Sequence, residues 1–313
     1  MRFLAQSPVM DAQVKSGGPG TDASWVSSSR SMRMLPIMRF FRQRGSSDAE
    51  RMTGTPVGEA KALYEAGRYA EAEAEARAVA RSRSRDDEYA AVALNIAALA
   101  TGAQGRHDEA LATYDEALSA FSRVFGADHW LTLKLRSDRA QQMVALGQHA
   151  ECEAECAAVA EAADRGTGPE MSLLAAAARN GLIFALNAQG RHQEAEAVAR
   201  DALAAHRARD RASLVLRLGL ARSLNGQARH EDALKEAEGA KKLYRALPEY
   251  QRHPDTGAVE LAAATALFGL GRVADARRQA ATVHDACVAS FGPDHRRTVE
   301  ARTLLEDIDG TRH

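Results

Sequence analysis

The sequence predicts an all-α solenoid of six antiparallel helix pairs, finished by a closing helix near residues 296–308. Three observations predict it. Apolar residues make up 45% of the chain and aromatics only 5%. Alanine carries most of that apolar share, which favours helices, since strands draw on β-branched and aromatic residues. One phrase, in three of its six copies a glycine followed by a basic residue and a ring, recurs at intervals of 38, 42, 43, 38 and 43 residues. Periods of this length mark stacked repeats, and each copy lies between two alanine-rich stretches of helical periodicity.

Taken in order, residues 1–54 differ from the rest. They carry "SGGPGTDASWVSSSRS", a Gly/Ser-rich coil with little to bury, and then "MRMLPIMRFFRQRGSS". The latter stretch sets Arg30, Arg33, Arg39, Arg42 and Arg44 among Met34, Leu35, Ile37, Phe40 and Phe41. A flexible leader is expected, with Met34 and Met38 as alternative starts; the sharper reading is a basic segment that touches anionic lipid. Arginines interrupt the apolar run that a secretory signal needs.

The repeat domain is expected over residues 55–313. Its phrases read "EAGRYAEAEAEARAV" at Gly67, "AQGRHDEALATYDEA" at Gly105, "ALGQHAECEAECAAV" at Gly147, "AQGRHQEAEAVARDA" at Gly190, "GQARHEDALKEAEGA" at Ala228 and "GLGRVADARRQAATV" at Gly271. The glycine permits the left-handed turn that ends a first helix. A second helix begins two residues later. Five residues past the turn stands a small residue each time: Ala72, Ala110, Cys152, Ala195, Ala233 and Ala276. Four residues before it stands Leu63, Thr101, Met143, Leu186, Leu224 or Leu267. The small residue lets the helices approach and the larger one fills their seam. Neither helix can bury its apolar face alone, so the pairs must stack. The charge-rich second-helix faces, "EAEAEAR" and "EAEAVARD" with Glu196 among them, read as solvated outer surface.

With Gly67, Arg68, Tyr69, Glu71 and Ala72 forming "G-R-Y-x-E-A", the phrase resembles the tetratricopeptide repeat. That family's early tryptophan is missing and the period is longer than the common 34 residues. A roughly 42-residue variant, similar to the repeats of kinesin light chain and of many bacterial proteins, accounts for both. Its linker signature is matched by "FGADHWLTL" (Phe125 to Leu133) and "FGPDHRRTV" (Phe291 to Val299), and less fully by "HPDTGAVEL" (His253 to Leu261). The resemblance spans residues 57 to 308 and implies a right-handed superhelix that binds a protein or peptide along its concave side.

The chain holds no phosphate-binding "GxxxxGK[ST]", no "GxSxG" and no "HExxH", so no motif points to an enzyme and none calls for a cofactor. His149, Cys152 and Cys156 are spaced as three metal ligands on one helix face would be. Cys152 stands at the alanine position of the sibling repeats and Cys156 matches Ala76, Ala199 and Ala237, which argues for packing rather than metal. The pairs Asp128/His129 and Asp294/His295 precede helices, where an Asp or its neighbour caps free N–H groups. A net charge of −1 gives no general pull toward nucleic acid. Three cysteines and no run of 18 apolar residues fit a cytoplasmic protein without a membrane span.

Counting back from each turn in the family's register selects groove candidates: Asn95 and Asn180 at one level, Asn187 and Asn225 at another, with Lys134 and Arg222 beside them. In that family groove asparagines hold the backbone of an extended peptide, and an amide can donate and accept at once. Lys134 and Arg222 would add a preference for acidic residues. The expected role is therefore an interaction scaffold. A regulator that senses a ligand or peptide is the alternative, and an accessory to an enzyme is a third.

Overall fold

The repeated phrase closes a tight turn wherever it occurs. The computed structural model describes residues 54–293 and 295–310, and no strand occurs among them. Six helix pairs follow one another: α1 (Gly58–Glu65) with α2 (Tyr69–Arg81), α3 (Glu88–Ala103) with α4 (His107–Phe125), α5 (Trp130–Ala145) with α6 (His149–Arg165), α7 (Pro169–Ala188) with α8 (His192–Ala205), α9 (Arg211–Gly226) with α10 (His230–Ala246), and α11 (Ala258–Gly269) with α12 (Val273–Phe291). A short helical turn over residues 249–255 precedes α11, and α13 (Arg296–Gly310) closes the array. The leader expected over residues 1–54, with its basic segment, lies outside the described residues save for Gly54.

The turn glycines Gly67, Gly105, Gly147, Gly190 and Gly271 have φ between +72° and +78°. The N–H after each reaches back to the carbonyl four residues before it, Arg68 to Leu63 and Arg191 to Leu186 both at 2.9 Å, so the last carbonyls of the first helix are satisfied. Ala228 holds the same place at φ +57°, the single non-glycine residue of positive φ among those described. The small residues five past the turn are at most 1% exposed, and the larger ones four before it are at most 8% exposed. They form the seam of each pair as the sequence predicts.

A second regularity joins one pair to the next. Glu73, Glu153 and Glu196 each take hydrogen bonds from the glutamine and arginine that flank the following turn. Gln104 Nε2 lies 3.0 Å from Glu73, with Arg106 paired to the same carboxylate. Gln189 and Arg191 lie 2.8 and 2.6 Å from Glu153. Gln227 and Arg229 both lie 2.7 Å from Glu196. In the two copies where leucine replaces the acid (Leu111, Leu234), leucine also replaces the glutamine ahead (Leu146, Leu270). Each junction thus carries either the charged clamp or leucine at both places. Glu196 is 6% exposed, so its placement on a solvated outer face is corrected. The sequence conceals this because its partners lie 31 and 33 residues ahead.

First helices of successive pairs pack together (α1 on α3, α5 on α7, α7 on α9, α9 on α11), whereas second helices of successive pairs scarcely meet. The first helices therefore lie on the inner side of the stack. Helix α7 is long and apolar enough by length and composition to cross a membrane. Here it packs against α5, α6, α8 and α9 as a core helix.

The linker signature also acquires a physical meaning. After α4 and α12, Gly126 (φ +98°) and Gly292 (φ +89°) end the helix. Phe125 stacks on His129 at 5.4 Å and Phe291 on His295 at 4.4 Å. Thr132 and Thr298 donate to the two glycine carbonyls at 2.8 and 2.9 Å. The cap is the histidine: the N–H groups of Leu131 and Arg297 each donate to a ring Nδ1 at 3.3 Å. An accepting Nδ1 must be unprotonated, and burial lowers the pKa of both rings, with the Arg297 and Arg296 charges adding to the effect at His295. The unfolded chain therefore takes up the proton first. Stability from these caps is complete above about pH 6.5 and is lost as pH falls through the folded values. Two caps contribute about 2 kcal/mol in all. Melting followed from about pH 7.5 to about pH 5.5 is expected to fall. His129→Asn with His295→Asn, which caps without titrating, is expected to flatten that slope; an unchanged slope would refute the assignment.

Candidate functional site

The phrase "LNAQGRH" and its partner "LNGQARH" show why two asparagines recur. The tight turn brings the residue three before it against the ring two after it. Asn187 Oδ1 lies 2.9 Å from His192 Nδ1, and Asn225 Oδ1 lies 3.2 Å from His230 Nδ1. Each amide nitrogen then donates to the following pair, Asn187 to Ser223 Oγ at 2.9 Å and Asn225 to the Ala262 carbonyl at 3.2 Å. Both are staples of the fold, each amide already donating one hydrogen bond and accepting another. Asn95 is 1% exposed, and its amide finds no partner among the described residues. It offers nothing to a ligand on the surface.

Other candidates stay accessible on the first-helix side. Lys134 Nζ lies 2.5 Å from Asp138, one turn along α5. Asn180 is half-buried, one turn before Phe184 on α7. Arg222, on α9, has its guanidinium 5.1 Å from the Phe184 ring. Arg296, at the start of α13, lies 4.5 Å from the same ring. Glu300 joins the two arginines, accepting from Arg222 at 3.0 Å and from Arg296 at 2.9 Å. A half-buried ring thus lies within cation–π reach of two guanidiniums that share one carboxylate. Phe184, Arg296 and Glu300 were not singled out from the sequence. Phe184 had a signal, because it occupies the slot six before the turn that Arg222 occupies in the next repeat. Arg296 and Glu300 had none, being brought in by curvature across 78 residues.

Cys152 and Cys156 are buried in α6 with their sulfurs 3.9 Å apart. A Cβ added at Gly181 would lie 2.6 Å from Cys156 Sγ, so the glycine makes room for the thiol. The hydrogen bond with Cys152 and burial hold the Cys156 thiol well above its ordinary pKa, far from a reactive thiolate. Among the described residues no three His, Cys, Asp or Glu side chains are placed to hold a metal.

Comparison with known proteins agrees with this geometry. The model of the family described as tetratricopeptide repeat matches residues 88–154. A Podosopora anserina structure described as kinesin light chain nearly identical TPR-like repeats is similar over 62% of this chain and 95% of its own, at 18% identity and a TM-score of 0.51. A Rap protein complexed with Competence and Sporulation Factor is similar over 90% of this chain and 80% of its own, at 12% identity and a TM-score of 0.54. These likenesses establish the fold. No curated protein matches the sequence.

Proposed function

Taking the chain as a tetratricopeptide-type helical repeat protein, we propose that it is an interaction scaffold whose inner face receives a segment of a protein or peptide partner carrying acidic residues. The observation that supports this most is the Phe184 ring beside both Arg222 and Arg296. Two guanidiniums share the single carboxylate of Glu300 there and retain N–H donors for another. Asn180 and Lys134 extend the same side and complete the proposed surface. Three free cysteines suit a reducing cytoplasm.

A second reading draws on the same contact. Glu300 on α13 occupies the place a ligand carboxylate would take, so binding would release the closing helix from α9. The scaffold would then act as a sensor. The similar Rap fold, solved in complex with a factor, is compatible with either reading.

Partner capture from the native extract tests the proposal. Phe184→Ala and Arg222→Ala should each weaken capture by about ten- to a hundredfold, the value of a charge-assisted contact of roughly 1.5–3 kcal/mol. Glu238→Lys, exposed on second helix α10, should leave it unchanged. Capture lost with Glu238→Lys and kept by the other two would move the binding surface to the outer face.

A further inference from the structure

Two linkers of this array are plugged by their Phe–His stacks. The α2–α3 linker, "RSRSRDD" over residues 81–87, has no ring to place there. A cleft of about 610 Å³ opens instead between the end of α2, the first turns of α3 and the C-terminal half of α4. Five arginines line it, Arg77, Arg81, Arg83, Arg85 and Arg123, against one lining carboxylate, Glu116. Two of the five are fixed in place. Arg77 is bonded to Glu73 at 3.1 Å and to Thr113 at 3.0 Å. Arg83 is bonded to Asp87 at 2.9 Å and lies 5.4 Å from the Tyr89 ring. Arg123 faces Asp86 at 3.7 Å. Arg81 and Arg85 are exposed and form no ion pair with any described residue. The cleft is therefore a partly neutralised basic wall with two cations outside any ion pair at its mouth.

We propose that this cleft binds a phosphate-class dianion, presented by a free polyphosphate compound or by a phosphorylated side chain of a partner. Each guanidinium fork matches two oxygens, and a phosphoryl group offers three, enough to engage Arg81 and Arg85 together. A carboxylate can also bridge two arginines, as Glu300 does, but with one oxygen for each and a single charge. Glu116 offsets part of the charge at the mouth, and a doubly charged anion still meets two guanidiniums without ion-pair partners. The proposal is independent of the inner-face reading, since it rests on an edge cleft formed by the linker and by both helix types.

Calorimetric titration of the full chain at low salt tests it, with inorganic pyrophosphate in one arm and a phosphoserine peptide of otherwise neutral sequence in the other. One site per chain is expected. Arg81→Glu with Arg85→Glu should weaken binding at least about tenfold without changing helicity or melting, and the corresponding glutamine pair should weaken it less. Arg207→Glu with Arg209→Glu makes the same charge change on the α8–α9 linker, at exposed residues outside any such cleft, and should leave binding intact. Tighter binding in the first arm assigns a free polyphosphate, and in the second a phosphorylated partner. Binding of neither probe, equal affinity for the unphosphorylated peptide, or equal loss in the two charge-reversed pairs overturns the proposal.

Discussion

Glu196→Lys is expected to destabilise the array by about 3 kcal/mol, toward the lower end for breaking a buried pair because its arginine partners are half exposed. Burial alone would raise the Glu196 carboxyl. The hydrogen bonds from Gln227 and Arg229, with the Arg200 and Arg229 charges, more than offset this and hold it below the ordinary carboxylate range. Lysine would remove the acceptor from Gln227 and face Arg200 and Arg229 with a third cation. Stacked units are stable only through their interfaces, so the lesion should weaken the junction between the fourth and fifth pairs first. A rescue separates this account from simple disruption. Glu196→Leu alone should be destabilising, since it takes from Gln227 its shortest hydrogen bond, leaving only the two longer ones to the His192 and Ser223 carbonyls, and sets a leucine against the polar amide. Glu196→Leu with Gln227→Leu should recover most of the loss, because the chain already uses leucine at both places in two other junctions, and Arg229 keeps Asp232 at 2.7 Å. Thermal melting of the three variants checks this. A double variant no better than Glu196→Leu would mean that the clamp and the leucine pair are not alternatives.

Ala195→Trp should be at least as damaging. Ala195 is fully buried between α7 and α8, in one cluster with Ile183, Leu186, Leu220 and Leu224. Inserting an indole there must push apart helices whose close approach depends on alanine. Overpacking costs about 3 kcal/mol or more at such a site, or a fall of roughly 6–12 °C in melting for a domain of this size. Ala205→Trp, at an exposed position in the last turn of the same helix, should melt within about a degree of wild type on the same scale. Equal melting of Ala195→Trp and wild type would contradict the seam.

The helix pairs were legible because each unit repeats the same local solution. A glycine turn, a small residue five later and a larger one four earlier are satisfied within about ten residues, so pattern alone exposes them. Contacts reaching into the next repeat were legible only in hindsight. Glu196 resembles a surface acid until the next turn supplies Gln227 and Arg229. Asn187 and Asn225 stand where groove amides were expected, but the ring after the turn and the following helix take up their bonds. The Phe184 site was half legible. Arg222 was selected from register, whereas its partners Arg296 and Glu300 arrive by superhelical curvature, which no local pattern encodes. The α2–α3 cleft was invisible for the opposite reason, being defined by the rings its linker lacks.

The inner face is the proposed binding surface, and hydrogen exchange of the chain, free and saturated with its captured partner, tests this most directly. Added protection is predicted on α5, α7 and α9 and at the first turns of α13 if Glu300 stays engaged, with exchange at α13 accelerated if a ligand carboxylate displaces it. In both cases α4, α6, α8 and α10 should exchange as in the free chain. Protection confined to those second helices, with α7 and α9 unaffected, would contradict the inner-face assignment.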